Sequence, residues 1–304
     1  MPGVRRVGGS TRKVGVIGWP VSESLSPVIH NAAFEALGLD WIYLPLPVPP
    51  GELPRAIAGL PALGFAGANV TMPHKTEAAA LVDALSEDAA RTRAVNTIVV
   101  PGVGAERIPR AATQPAGAEP PPHRLEGHNT DVAGFDRFLR RDAGFDPAGR
   151  SALVYGAGGA ARACALALAR GGLARLTVAA RSPERASGMR ETVDGLGTEV
   201  RIVPFDGAAG LTVDLVVNAT PSGLVGSVVP LPGLGPTVLA VDLVYRSGGT
   251  AFLALARAGG AVTFGGLGML IHQAALSFEL WTGQAAPLSV MSAAATAELA
   301  EPAR

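Results

Sequence analysis

Cysteine is almost missing from this 304-residue chain, which has only Cys164. One thiol excludes an intramolecular disulfide framework and fits a reducing cytoplasm. The plain role of Cys164 is that of a small buried helix residue. Surplus charge is missing as well, with 25 Lys and Arg set against 25 Asp and Glu. Binding a polyanion takes an excess of basic side chains, so no nucleic-acid partner is expected. Long apolar runs are also absent, since the stretch 211–220 falls well short of the roughly 20 residues that span a bilayer, and no membrane partner is expected. Residues 1–13 contain Gly and Arg but no secretory apolar run, and they read as a frayed tail.

What is present is alternation. Short β-branched runs are separated by Ala- and Leu-rich helical stretches, the pattern of parallel sheets with crossover helices. The length suits two such α/β domains of about 130 to 150 residues each. In the first block strands are expected at 14–18, 41–48, 66–71 and 95–100, with helices near 27–37, 52–60 and 73–84. In the second, strands are expected at 152–155, 176–180, 199–204, 215–218, 238–243 and 261–263. Six strands with helices between them suggest a dinucleotide-binding sheet. The segment 101–123 is rich in Pro, Gly and Ala and includes Pro120, Pro121 and Pro122. It reads as a flexible loop inserted at a hairpin tip.

The strand at 152–155 runs into Gly156-Ala157-Gly158-Gly159-Ala160-Ala161 and then a helix. In this G-x-G-x-x-A spacing Gly156 permits the tight turn, Gly158 lets the backbone approach a pyrophosphate, and Ala161 allows close packing of helix on sheet. The helix N-terminus then faces the anion. NAD enzymes of this kind place an acid at the end of the next strand to bind the ribose 2′-hydroxyl. Here that place holds Arg181, Ser182 and Arg185. A cation and a hydroxyl suit the 2′-phosphate of NADP(H). The plain alternative is a pair of solvated arginines at a helix start.

A polar cluster gathers where the strands of the first block end: Ser24, Ser26, Asn69, Thr71, Lys75 and Asn96, with Asp131 after the long loop. Singly these have dull explanations. Ser26 and Asp131 could be helix N-caps, and Lys75 a solvated lysine. Jointly they form a pocket for a small ligand with hydroxyls and a carboxylate. Hydride transfer to a ketone builds negative charge on oxygen, so a cation or proton donor is needed there. Lys75 supplies both, and a neighbouring Asp131 carboxylate would hold it in place. His74 is the competing acid–base candidate.

These residues carry a resemblance to the shikimate dehydrogenase family, extending from Gly15 to Gly283. It rests on Gly18-Trp19-Pro20 with Ser24-Leu25-Ser26-Pro27, Gly67-Ala68-Asn69-Val70-Thr71-Met72-Pro73-His74-Lys75 and Ala94-Val95-Asn96-Thr97. It continues through Asn129-Thr130-Asp131, the Gly156 turn, Asn218-Ala219-Thr220, Asp242-Leu243-Val244-Tyr245 and Gly266-Leu267-Gly268-Met269-Leu270 with Gln273. The resemblance implies NADPH-dependent reduction of 3-dehydroshikimate to shikimate, with Lys75 and Asp131 as the catalytic pair. It implies that Ser24, Ser26 and Tyr245 hold the substrate carboxylate and that Thr71, Asn96, Asp131 and Gln273 contact its hydroxyls. On the cofactor side it assigns the Arg181 segment to NADP selection and places Thr220, Leu243 and Gly266 beside the nicotinamide.

The resemblance also implies that the chain returns after about residue 267. The expected domains are a substrate domain of 1–129 plus 268–304 and a Rossmann-type NADP domain of 130–267. An amphipathic helix at 269–281 repeats Leu270, Ala274, Phe278 and Trp281 at helical spacing. Gln273 on that helix either faces the cleft or lies exposed. The chain departs from the family in its Pro-rich insertion between Asn96 and Asp131. Competing readings are a quinate or aminoshikimate dehydrogenase on the same fold, or a non-catalytic NADP-binding regulator. The expected partner is the small-molecule substrate, the expected state a cytoplasmic monomer or homodimer, and no metal site is expected.

Overall fold

The computed structural model describes residues 7–103, 124–221 and 229–300, with Arg185 described in its backbone only. Most of the Pro-rich stretch expected to form a flexible loop lies outside the described residues. The first half of the chain runs β1 (Arg12–Gly18), α1 (Ser26–Ala36), β2 (Trp41–Pro47), α2 (Leu53–Ala62), β3 (Phe65–Val70), α3 (Lys75–Ala78), β4 (Ala84–Leu85), α4 (Glu87–Thr92), β5 (Thr97–Val99) and β6 (Glu126–His128). The second continues with α5 (Thr130–Arg141), β7 (Ser151–Tyr155), α6 (Gly159–Arg170), β8 (Arg175–Ala179), α7 (Gly188–Thr192), β9 (Glu199–Val203), β10 (Leu215–Asn218), β11 (Leu239–Asp242), α8 (Ala251–Ala258), β12 (Val262–Gly265), α9 (Leu267–Thr282) and α10 (Leu288–Ala300).

The strands form two six-stranded sheets. The second has the order β12-β11-β10-β7-β8-β9 and is parallel throughout. This is the doubly wound order of a dinucleotide sheet, with its topological switch between β7 and β10. Its central strands, Ser-Ala-Leu-Val-Tyr, Leu-Val-Val-Asn and Leu-Ala-Val-Asp, are buried at every position. Strands covered by helices on both faces need such unbroken apolar runs.

The first sheet has the order β2-β1-β3-β5-β6-β4. It is mixed rather than parallel, because β5 runs antiparallel to both β3 and β6. The expected helix at 73–84 is cut to α3, one turn long. The N–H of Asp83 donates to the carbonyl of Leu125, whose own N–H donates to the Asp83 carboxylate, and these bonds draw the following residues into pairing with β6. Ser86 then starts a new helix, its Oγ accepting from the N–H of Ala89 with Glu87 and Asp88 in the first turn. The reading of residues 1–13 as a frayed tail also fails where they are described. Ser10 and Thr11 donate hydroxyl bonds to Asp40, and Arg12 and Lys13 open β1.

The chain does return. Ala274, Phe278, Trp281, Met291 and Ala295 from α9 and α10 share one core with Val14, Val16, Ile29, Phe34, Trp41 and Tyr43. On its other side α9 crosses α5, whose Val132, Phe135, Phe138 and Leu139 belong to the core of the second sheet. The crossing is close at Gly134, where a Cβ would lie 2.8 Å from Cβ and 2.9 Å from the backbone N of Gln273. Glycine is thus required there by helix contact and not by its dihedral freedom. The contact sets Gln273 one turn along from Asp131. Cys164 is fully buried in α6, as a small core residue should be.

Candidate active site

The C-terminal ends of the strands in both sheets open onto one cavity. It is lined by Ser24 and Ser26 after β1, by Asn69, Val70 and Thr71 at the end of β3, and by Lys75 in α3 and Asn96 before β5. From the other side come Asp131 in α5, Ala160 in α6, Leu243 and Tyr245 after β11, Gly266 after β12, and Met269, Leu270 and Gln273 in α9. The space open to the centres of water-sized molecules is about 190 Å³, which limits the occupant to a small molecule.

At the centre Lys75 Nζ donates to Asp131 Oδ2 at 2.7 Å. The Asp131 side chain is 5% exposed and that of Lys75 21%, so the pair meets solvent mainly through the lysine. The other carboxylate oxygen, Oδ1, accepts from Asn96 Nδ2 at 2.9 Å. Asn96 is oriented in turn by the N–H of Thr130, which donates to its Oδ1 at 2.7 Å. The carboxylate is therefore fixed at both oxygens. Asp131 is not the helix cap. Asn129 caps α5, its Oδ1 accepting from the N–H of Asp131, while its Nδ2 donates to Ala94 O at 2.9 Å. Ser26 is not a cap either, because the N-cap of α1 is Leu25, and Ser26 faces the cavity from the first helical position.

His74 is buried, with Nε2 2.7 Å from the carbonyl oxygen of Val48. A carbonyl only accepts, so Nε2 carries the proton and the ring is tied away from the cavity. Gln273 is buried at the cavity wall rather than exposed. Its Oε1 accepts from Asn96 Nδ2 at 3.2 Å and its Nε2 donates to Leu270 O at 2.9 Å. Burial raises the pKa of Tyr245, so its hydroxyl stays protonated and able to donate.

Beneath the cavity lies a buried polar network that the sequence reading did not single out. Tyr43 OH donates to Asn69 Oδ1 at 2.7 Å, and Asn69 Nδ2 donates to Asn96 O and to the hydroxyls of Thr97 and Ser277. Ser277 Oγ also lies 2.8 Å from Thr97 Oγ1 and 3.2 Å from Thr130 Oγ1. Asn69 thus spends its amide on the floor of the site. One signal was available: Ser277 follows Gln273 by four residues and so shares its helix face.

On the nucleotide side, Gly156 turns with φ of +106°, a backbone state side chains rarely adopt. Gly158 is the N-cap of α6, which starts without a side-chain cap, and a Cβ on Gly158 would meet nothing within 4 Å. Free first-turn N–H groups beside an open backbone face fit a pyrophosphate. Ala157 packs against the second core. After β8, Arg181 is exposed and Ser182 is half-buried at the start of a short 3₁₀ turn. The side chain of Arg185, expected to add a second charge there, lies outside the described residues. Thr220 Oγ1 donates to Asn218 Oδ1 at 2.7 Å. Of the expected cofactor residues, Ala160, Leu243 and Gly266 reach the cavity wall, whereas Thr220, Arg181 and Ser182 do not.

A doubly wound nucleotide sheet facing a small polar cavity with a lysine–carboxylate pair defines a dinucleotide-dependent oxidoreductase of two α/β units. The model of the shikimate dehydrogenase substrate binding domain matches residues 16–98, and that of the shikimate 5′-dehydrogenase C-terminal domain matches residues 266–296. The shikimate dehydrogenase (NADP(+)) of Rubrobacter xylanophilus is 45% identical over 301 residues, covering 97% of this chain and 99% of its own. The chain belongs to the shikimate dehydrogenase family. A shikimate dehydrogenase crystallised with NADP+ superposes with a TM-score of 0.82 at 34% identity, over 97% of this chain and 98% of the other. The Thermus thermophilus shikimate 5-dehydrogenase in complex with NADP(H) and shikimate gives 0.76 at 38% identity, over 95% and 100%. Among the described residues no helix is long and apolar enough to cross a membrane.

Proposed function

We propose that this chain catalyses the reversible NADPH-dependent reduction of 3-dehydroshikimate to shikimate, on the route to chorismate and the aromatic amino acids. The observation that carries the reading is the Lys75–Asp131 pair, held at 2.7 Å in the wall of a small hydroxyl-lined cavity between the two sheets. The bound nicotinamide supplies the hydride. Lys75 Nζ points its protons at the carbonyl oxygen, balances the charge that develops there and gives up a proton to it. Asp131 fixes the ammonium with Oδ2, and Asn96 fixes Asp131 through Oδ1. Ser24, Ser26 and Tyr245 offer three hydroxyls for the substrate carboxylate. Thr71, Asn96, Asp131 and Gln273 take its hydroxyls, and Asn69 holds the floor beneath them.

Gly156, Ala157, Gly158, Gly159 and Ala160 cradle the pyrophosphate, with Arg181, Ser182 and Arg185 toward the 2′-phosphate and Thr220, Leu243 and Gly266 toward the nicotinamide. The substrate unit comprises 1–129 with 268–304 and the nucleotide unit 130–267. The enzyme acts in the cytoplasm as a monomer or homodimer.

Steady-state assays with shikimate and quinate, each with NADP+ and NAD+, test the reading. The highest kcat/KM is expected for shikimate with NADP+, and a higher value for quinate or NAD+ overturns the assignment. Lys75→Ala is expected to lower kcat by about 10²- to 10⁴-fold while NADPH binding is kept. Unchanged turnover removes Lys75 from the reaction, and absence of turnover in the unaltered chain makes it a binding protein.

A further inference from the structure

The turn Gly156-Ala157-Gly158-Gly159 carries two adjacent glycines with different surroundings. A Cβ built on Gly158 meets open space. One built on Gly159 lies 3.1 Å from Ala94 Cβ, 3.3 Å from Lys75 Cβ and 3.6 Å from Lys75 Cδ. Gly159 opens α6 with no positive φ, so nothing in its backbone calls for glycine. Alanine is the better helix former, and an alanine N–H would serve a phosphate equally well. The demand for glycine therefore comes from the substrate side of the cleft.

We propose that Gly159 is a positioning residue for Lys75: the missing side chain lets the first turn of the nucleotide helix press on the lysine stem and hold Nζ against Asp131. The proposal rests on the catalytic reading of Lys75. The neighbours that a Cβ would meet are poorly placed to yield. Ala94 is fully buried, and its carbonyl accepts from Asn129 Nδ2, the same side chain that caps α5 below Asp131. Lys75 is joined to this strip because its carbonyl accepts from the N–H of Val95 at 2.8 Å. One turn further along α6, Arg162 Nη1 donates to Thr92 O at 3.3 Å and pins the helix to the same strip. A methyl group at position 159 thus pushes on both members of the ion pair, on Lys75 directly and on Asp131 through Ala94 and Asn129.

Three variants and two readouts test this. Gly159→Ala is expected to lower kcat about tenfold or more, because a misplacement of a few tenths of an ångström is felt at the reacting atoms. Its NADPH dissociation constant, titrated by fluorescence without substrate, should stay within about twofold, since no backbone donor is lost. Gly158→Ala should do the reverse and weaken NADPH, because its side chain fills the space the pyrophosphate needs. Adding Ala94→Gly to Gly159→Ala removes the nearer of the two tight contacts, at 3.1 Å, and should recover part of kcat, the 3.3 Å contact with Lys75 Cβ remaining. Unchanged kcat in Gly159→Ala overturns the proposal. So does a loss of NADPH affinity equal to that of Gly158→Ala, or a double variant no faster than the single one. Failure of the underlying reading looks different, because Lys75→Ala would then stay active. Failure of the present one leaves Lys75→Ala slow and Gly159→Ala normal.

Discussion

Acid should weaken this fold through one residue of α1. His30 is fully buried, and neither ring nitrogen has a hydrogen-bond partner among the described residues. Its ring stacks on Tyr43, with centroids 4.4 Å apart and planes within 2°, and lies 5.3 Å from Trp281. Burial lowers its pKa from 6.5 to about 3. A base with a depressed folded pKa gives its full share of stability above the unfolded value and loses it as pH falls toward the folded one. The window is therefore pH 6.5 down to about 3. At pH 5 the folded ring binds no proton while the unfolded one is almost wholly charged, and the loss is about 2 kcal/mol relative to pH 8.

Phenylalanine keeps the stack and removes both orphan nitrogens, so His30→Phe should not show this loss. Urea unfolding of both proteins at pH 8 and pH 5 measures the difference. The unaltered chain should lose about 2 kcal/mol more than the variant. Equal losses would mean that His30 is protonated in the folded state and that the ring is not sealed. The consequence reaches the site, because the Tyr43 that His30 stacks on holds Asn69 in the cavity floor.

Arg181→Ala should weaken NADPH about 10- to 100-fold, the worth of a charge-assisted bond to a phosphate, and leave NADH nearly unchanged. Equal losses in titrations of the two would show that the exposed guanidinium does not select the 2′-phosphate. Ser277→Ala strips a partner from Asn69, Thr97 and Thr130 at once and should cost about 1–3 kcal/mol. Its mark beyond stability should be a raised KM for shikimate with an unchanged KM for NADP+, and an unaltered melting temperature with both KM values normal would show the hydroxyl to be idle.

The nucleotide sheet was the most legible part of the sequence. Its strands at 152–155 and 215–218 fall within a residue of β7 and β10 because strands buried on both faces must be apolar throughout, and the edge strand β9 at 199–203 showed instead by the alternation of Val200, Ile202 and the charged Glu199 and Arg201. The mixed first sheet was less legible. β4 has two residues and β5 and β6 three each, too short for a period to show; the antiparallel pairing of β5 with β6 was legible only as the hairpin expected around the Pro-rich stretch. Lys75, Asp131 and Asn96 were found because charged and amide groups at strand ends stand out. Their supports were not. Thr97, Thr130 and Ser277 are ordinary hydroxyls whose meaning lies in contacts across 33 to 180 positions, and Gly159 looks like any turn glycine until Lys75 is placed against it.

The return of α9 and α10 to the first sheet separates the order of synthesis from the order of completion. Phe34, Trp41 and Tyr43 leave the ribosome early, yet Phe278, Trp281 and Met291, which seal them, come near the end. The nucleotide sheet has one core made wholly of residues between 153 and 261, and another to which α9 adds only Met269, so it can close while the older half of the chain waits uncovered. A chaperone that shields nascent apolar surface would find its longest-lived target at the amino end of this protein, not at the segment most recently made.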